Sequence, residues 1–75
     1  MVFIRDSSQT MLILNDRVKC TELSDLATSE LGVITKICGH EVTVKHGTDI
    51  ATYVWDTESL FFVRGAMPFK INRVK

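Results

Sequence analysis

The chain reads as one mainly β domain. Its apolar residues fall in short runs of no more than four, broken by polar, turn-forming stretches. The central segment "GVITKICGHEVTVKHG", Gly32 to Gly47, alternates apolar and polar residues on both sides of a glycine. With 75 residues, 45 % of them apolar, a domain of this size buries only about 60 % of the surface its unfolded chain exposes, so the core is small.

From the amino terminus, "VFIR" (Val2 to Arg5) and "MLIL" (Met11 to Leu14) flank the polar "DSSQT" and suit a hairpin. "NDRVKC" opens on turn formers and runs into a strand ending near Cys20. In "TELSDLATSE", Leu23 and Leu26 are three apart behind a capping Thr21. This pattern predicts a short helix near residues 22–29, with an acidic loop as the alternative.

Gly39 and His40 suit a two-residue primed type II turn between "VITKI" and "EVTVKH". An unbroken register then pairs Cys38 with Glu41, Ile37 with Val42, Lys36 with Thr43, Thr35 with Val44, Ile34 with Lys45 and Val33 with His46. In that register Ile34 is a misfit, an apolar residue on the polar face. "IATYVW" (Ile50 to Trp55) is a strand apolar on both sides. "DTESL" suits one helical turn capped by Asp56 or Thr57, and "FFVR" resumes as a strand. After "GAMP", "FKINRV" alternates as a final strand with a basic edge.

Composition excludes several classes. Four Gly, one Pro and no low-complexity tract argue against disorder. The longest apolar runs, "MLIL" and "LFFV", fall far short of the roughly 20 residues that span a bilayer, and no basic-then-apolar leader opens the chain. The expectation is a soluble cytoplasmic protein with two reduced cysteines and no membrane partner. Net charge is zero but unevenly spread. Residues 1–63 carry five basic against nine acidic side chains, net −4, while Arg64, Lys70, Arg73 and Lys75 make the last twelve residues +4. This marks either a partner-binding end or a basic strand lying beside an acidic body.

Catalytic and metal signatures are not found. In the straight register Cys38 and His40 sit at the turn, while His46 lies roughly 20 Å along the strand at about 3.3 Å per residue, too far to share an ion. Cys20, Cys38, His40 and His46 follow no zinc-ligand spacing, so the reading is a partly buried thiol and two surface histidines. No serine sits in a Gly-x-Ser-x-Gly elbow and no glycine-rich loop cradles phosphate. No metal, cofactor or enzymatic activity is expected.

The order from Asp16 to Arg64 resembles a Src-homology-3-like small β-barrel: strand, long loop, Gly-led strand, tight hairpin, strand, helical turn, short strand. "DRVKC" and "GVITKI" with "EVTVKH" are similar to the KOW and Tudor-like branch through Gly32, Ile34 and Ile37, then Val42 and Val44. "TYVWDTESLFFV" resembles the closing strand, helical turn and strand of such barrels. The likeness implies about five strands over residues 16–64, with residues 1–15 as an amino-terminal extension or hairpin and 65–75 as an added basic strand. It also implies Ile34 inward together with Ile37, which a bulge or bend in the second strand would allow.

Two functions follow as expectations. One is a protein-interaction adaptor or inhibitor, of a kind that fits a bacteriophage accessory protein. It would meet its partner through an acidic first loop, Glu22, Asp25 and Glu30, and through Phe69, and could self-associate through terminal strands. The alternative, which the KOW likeness implies, is an RNA- or DNA-binding module acting with transcription or translation machinery. Lys36, Lys45, Arg64, Lys70, Arg73 and Lys75 would then contact phosphates. Zero net charge favours the protein partner. Tyr53, Trp55, Phe61 and Phe62 are most simply core.

Overall fold

The computed structural model describes residues 4–5, 11–25, 28–59 and 61–74. Six antiparallel strands close into a barrel: β1 (Arg17–Glu22), β2 (Ser29–Cys38), β3 (Glu41–His46), β4 (Asp49–Asp56), β5 (Phe61–Arg64) and β6 (Met67–Arg73). Each strand pairs with its sequence neighbour, and β6 returns to β1 with Cys20 opposite Ile71 and Glu22 opposite Phe69. A closed all-β barrel of this size is compatible with the Src-homology-3-like class. The strand "FKINRV", expected as an addition, is instead the sixth stave, so the barrel runs from Arg17 to Arg73.

Three of the connections are two-residue turns with glycine first: Gly39, Gly47 and Gly65, with φ of 59°, 63° and 62°. Positive φ at that position is what the primed type II hairpin demands, and glycine adopts it without a Cβ clash.

No helix occurs among the described residues. Where a short helix was expected near 22–29, the described backbone closes a turn: the Asp25 N–H bonds the Glu22 carbonyl (3.3 Å), the Thr28 N–H bonds that of Asp25 (2.9 Å), and the Glu22 N–H bonds the Thr28 carbonyl (3.1 Å), a forward contact that a helix does not make. Leu26 and Ala27 lie outside the described residues. Asp56 does cap as expected, its carboxylate accepting from the N–H groups of Glu58 (3.0 Å) and Ser59 (3.3 Å), but the segment Thr57–Ser59 is a turn. Of the amino-terminal hairpin, Arg5 bridges Met11 and the Leu12 N–H bonds the Ile4 carbonyl at 2.8 Å; residues 1–3 and 6–10 lie outside the described residues.

The central hairpin begins in the expected register, Cys38 with Glu41, Ile37 with Val42 and Lys36 with Thr43, and then slips by one. Ile34 faces Val44 and Val33 faces Lys45, leaving Thr35 as the extra residue of a bulge. The slip turns Ile34 inward, fully buried with Val42 and Val44. Its backbone turns to the chain before β1, with the Ile34 N–H on the Asp16 carbonyl (3.0 Å) and the Asn15 N–H on the Ile34 carbonyl (2.8 Å).

The lumen is filled by alternate residues of the staves: Val18 and Cys20, Ile34, Val42 and Val44, Ala51 and Tyr53, Phe62, Phe69 and Ile71. Ile4 and Leu12 join this core from the amino-terminal segment, and Trp55 packs its ring 4.9 Å from that of Phe62. Each large apolar side chain so buried stabilises the fold by about 1.5–3 kcal/mol.

Candidate functional site

The β1–β2 loop, the Gly47 turn and the Gly65 turn gather at one end of the barrel, here called the mouth. Inward alternation brings Cys20, Glu30, His46, Tyr53 and Arg64 together there from five strands. The His46 Nδ1 is 3.0 Å from the Leu31 carbonyl oxygen, which can only accept, so Nδ1 carries a proton. In the neutral ring this leaves Nε2 to accept from the Tyr53 hydroxyl, 2.8 Å away. The Tyr53 hydroxyl is also hydrogen-bonded with the Cys20 sulfur. Outside this chain of bonds, the Glu30 Oε2 lies 3.7 Å from His46 Nε2 and 3.6 Å from Arg64 Nη1, and the Arg64 guanidinium stands 5.9 Å from the centre of the Tyr53 ring. His46, expected on the surface, has a side chain only 8 % exposed.

Burial pushes the Cys20 thiol up to about 11, with a smaller upward push from Glu30. The Tyr53 hydroxyl is also raised, by burial first and then by Cys20. Near neutral pH this thiol is protonated and is not a thiolate nucleophile. No buried side-chain nitrogen or oxygen among the described residues lacks a hydrogen-bond partner. Nor do three His, Cys, Asp or Glu side chains gather among those residues to hold a metal ion.

A cleft of about 300 Å³ opens above this cluster, and it unites Glu22, Glu30, Arg64 and Phe69, residues that the sequence assigned to two different partners. Phe69 is 8 % exposed and sets its ring edge-on to Tyr53 at 5.3 Å. It packs mainly into the core while lining one side of the cleft. Asp25 accepts a hydrogen bond from the Thr28 hydroxyl at 2.8 Å across the β1–β2 loop. Arg73 is drawn to the buried Asp16 at 3.4 Å, away from the mouth. Lys75 lies outside the described residues.

The outer wall is a different surface. One row crosses four strands as Arg17, Val33, Lys45 and Ile50, and the next pairs Lys19 with Leu31. Flanking rows place Lys36 beside Thr43 and Lys70 beside Thr21. These rows hold Arg17, Lys19, Lys36, Lys45 and Lys70 and no carboxylate. The described acids stand instead in the turns and at the barrel ends. Leu31 and Ile50 are each 68 % exposed on this wall, and Val33 37 %. A groove of about 320 Å³ runs along it between Arg17 and Lys45, past Leu31, Gly32, Val33 and Gly47.

Of the sequence-assigned cations, the wall therefore gathers Lys36, Lys45 and Lys70, while Arg64 and Arg73 serve the mouth and the opposite end. Sequence reasoning missed Arg17, Lys19, Leu31 and Ile50. Their signal was alternation in β1 opposite Leu31 and Val33, which becomes readable only with the pairing of β1 and β2. No family model matches the chain, and no curated protein or solved structure is significantly similar to it.

Proposed function

We propose that this protein is a non-enzymatic binding module that engages a protein partner through the basic wall of its barrel. One observation carries the reading: Leu31 and Ile50, each 68 % exposed, sit in rows of cations that contain no carboxylate. Large exposed aliphatic side chains gain by being covered, about 1.5–3 kcal/mol each on full burial, and cations between them select an acidic covering surface. Each of the six strands has a neighbour on both sides, and only short stretches of β4 and β6 extend past β5, so side chains of the wall, rather than strand addition, supply the contact.

Nucleic acid is the second reading, favoured by the five cations of the wall. Among the described residues no aromatic stands in the wall's rows: Tyr53, Phe62 and Phe69 are in the core and Trp55 packs against it. Affinity capture from the source cells separates the two, using the wild type and the Leu31→Ser/Ile50→Ser variant, with and without nuclease. A protein partner survives nuclease and is lost with the variant. Loss of all bound material on nuclease treatment, with capture unchanged by the variant, rejects the protein reading.

A further inference from the structure

We infer that Arg17 and Lys45 form a two-sided clamp for a carboxylate on an extended, acidic and aliphatic segment of the partner. The inference rests on the protein-binding reading above and names the chemistry of its contact. Arg17 and Lys45 both pair with Val33, from opposite sides. Their backbones are thus two interstrand spacings apart, about 10 Å. Both side chains are long enough to lean over Val33, and a carboxylate held above that residue meets a cation on either side.

The floor and ends of the groove define the rest of the segment. Val33 is 37 % exposed between the two cations, and Leu31, at 68 %, stands two residues away on the same outer face of β2. In an extended partner lying along β2, successive residues on one side are spaced like those of the strand. A carboxylate over Val33 therefore places the side chain two positions along over Leu31, where an aliphatic group covers the exposed leucine and a charged one would meet a cation on one side alone, at Lys19. Ile50, opposite Lys45, extends the apolar contact across β4. A phosphate would satisfy Arg17 and Lys45 but would leave Leu31 and Ile50 uncovered, so the aliphatic component is what commits the groove to a polypeptide. Lys36 lies on the same wall outside the groove and takes no part in the clamp.

The test is a titration of the isotopically labelled full chain with a blocked octapeptide of two Asp-Ser-Leu-Ser repeats, which when extended sets Asp and Leu two positions apart on one side, followed by backbone amide shifts. Saturable shifts are expected at Leu31 to Val33 and at Lys45 to Gly47. Arg17→Glu and Lys45→Glu should each weaken binding about tenfold or more, and an Asp and Ser octapeptide should bind similarly weakly. Lys36→Glu should change affinity by no more than about twofold, because its charge lies outside the clamp. A Lys36→Glu loss equal to that of Arg17→Glu would show diffuse attraction and overturn the clamp. So would an oligothymidylate that competes as well as the Asp and Leu peptide. Shifts confined to another face overturn the clamp while leaving the protein-binding reading to the capture experiment.

Discussion

The Nε2 of His46 lies 2.8 Å from the Tyr53 hydroxyl, and this largely buried bond ties β3 to β4 inside the lumen. Tyr53→Phe preserves the ring and its edge contact with Phe69 but removes the oxygen that serves both His46 and Cys20. Stranding those groups costs about 1–3 kcal/mol, and each 1 kcal/mol lowers the melting temperature of a domain this small by roughly 4–8 °C. Urea unfolding of the variant against the wild type measures it. A midpoint shift below experimental scatter would mean that the relay contributes nothing to stability.

Alkaline pH should destabilise the fold through the same cluster. Both Cys20 and Tyr53 hold their protons more tightly when folded, Cys20 up to about 11 and Tyr53 in the same direction. Between the ordinary thiol value and 11 the folded state therefore binds more protons than the unfolded one, and stability falls as pH rises through that window. For Cys20 the loss amounts to about 2–3 kcal/mol, from about 1.4 kcal/mol per pKa unit. Cys20→Ala should flatten the fall between pH 9 and 11, as read by unfolding midpoints across pH. An equally steep fall in that variant would place the titrating group elsewhere.

Gly32 makes the mouth possible by bringing β2 hard against β3. A Cβ there would stand 2.5 Å from Val44 Cγ1, 2.7 Å from His46 Nδ1 and 2.8 Å from the Lys45 carbonyl oxygen. The last of these is backbone and cannot rotate away. Gly32→Ala should thus cost about 1–3 kcal/mol or more by overpacking and should also displace the bond from His46 to Leu31. Thermal unfolding reports the first effect and the His46 ring proton resonance the second. Gly39→Ala, with no atom within 4 Å of its Cβ, carries only the strain of positive φ, about 1–2 kcal/mol.

These positions show how far the sequence could be read. Apolar alternation was sufficient to place the strands and the Gly39 turn, because period and turn chemistry are local. The bulge at Thr35 was legible only as a conflict, since Ile34 could not lie outward on a straight strand and still behave as an isoleucine. Two things were hidden. The mouth assembles Cys20, Glu30, His46, Tyr53 and Arg64 from five strands, and no spacing along the chain encodes a closed barrel's cross-section. The wall was hidden by the neutral net charge, which conceals that cations line the staves while acids occupy the ends. Pairing β1 with both β2 and β6 creates that separation.

The same closure decides what the carboxyl-terminal residues do. Read as an added strand, Gly65 to Lys75 would be dispensable to the barrel, and their removal would yield a folded monomer. As the stave between β5 and β1, β6 supplies Phe69 and Ile71 to the core and the backbone partners of Cys20 and Glu22. Loss of those two side chains alone removes about 3–6 kcal/mol of burial, and opening the barrel exposes the edges of β1 and β5. Against a total stability of about 5–15 kcal/mol, or less at this size, the truncated chain should be unfolded. Circular dichroism should show no cooperative transition, whereas Ile71→Ala should keep one, with stability lowered by about 2–5 kcal/mol. A truncated chain that still melts cooperatively would show that the remaining five strands hold a barrel without β6.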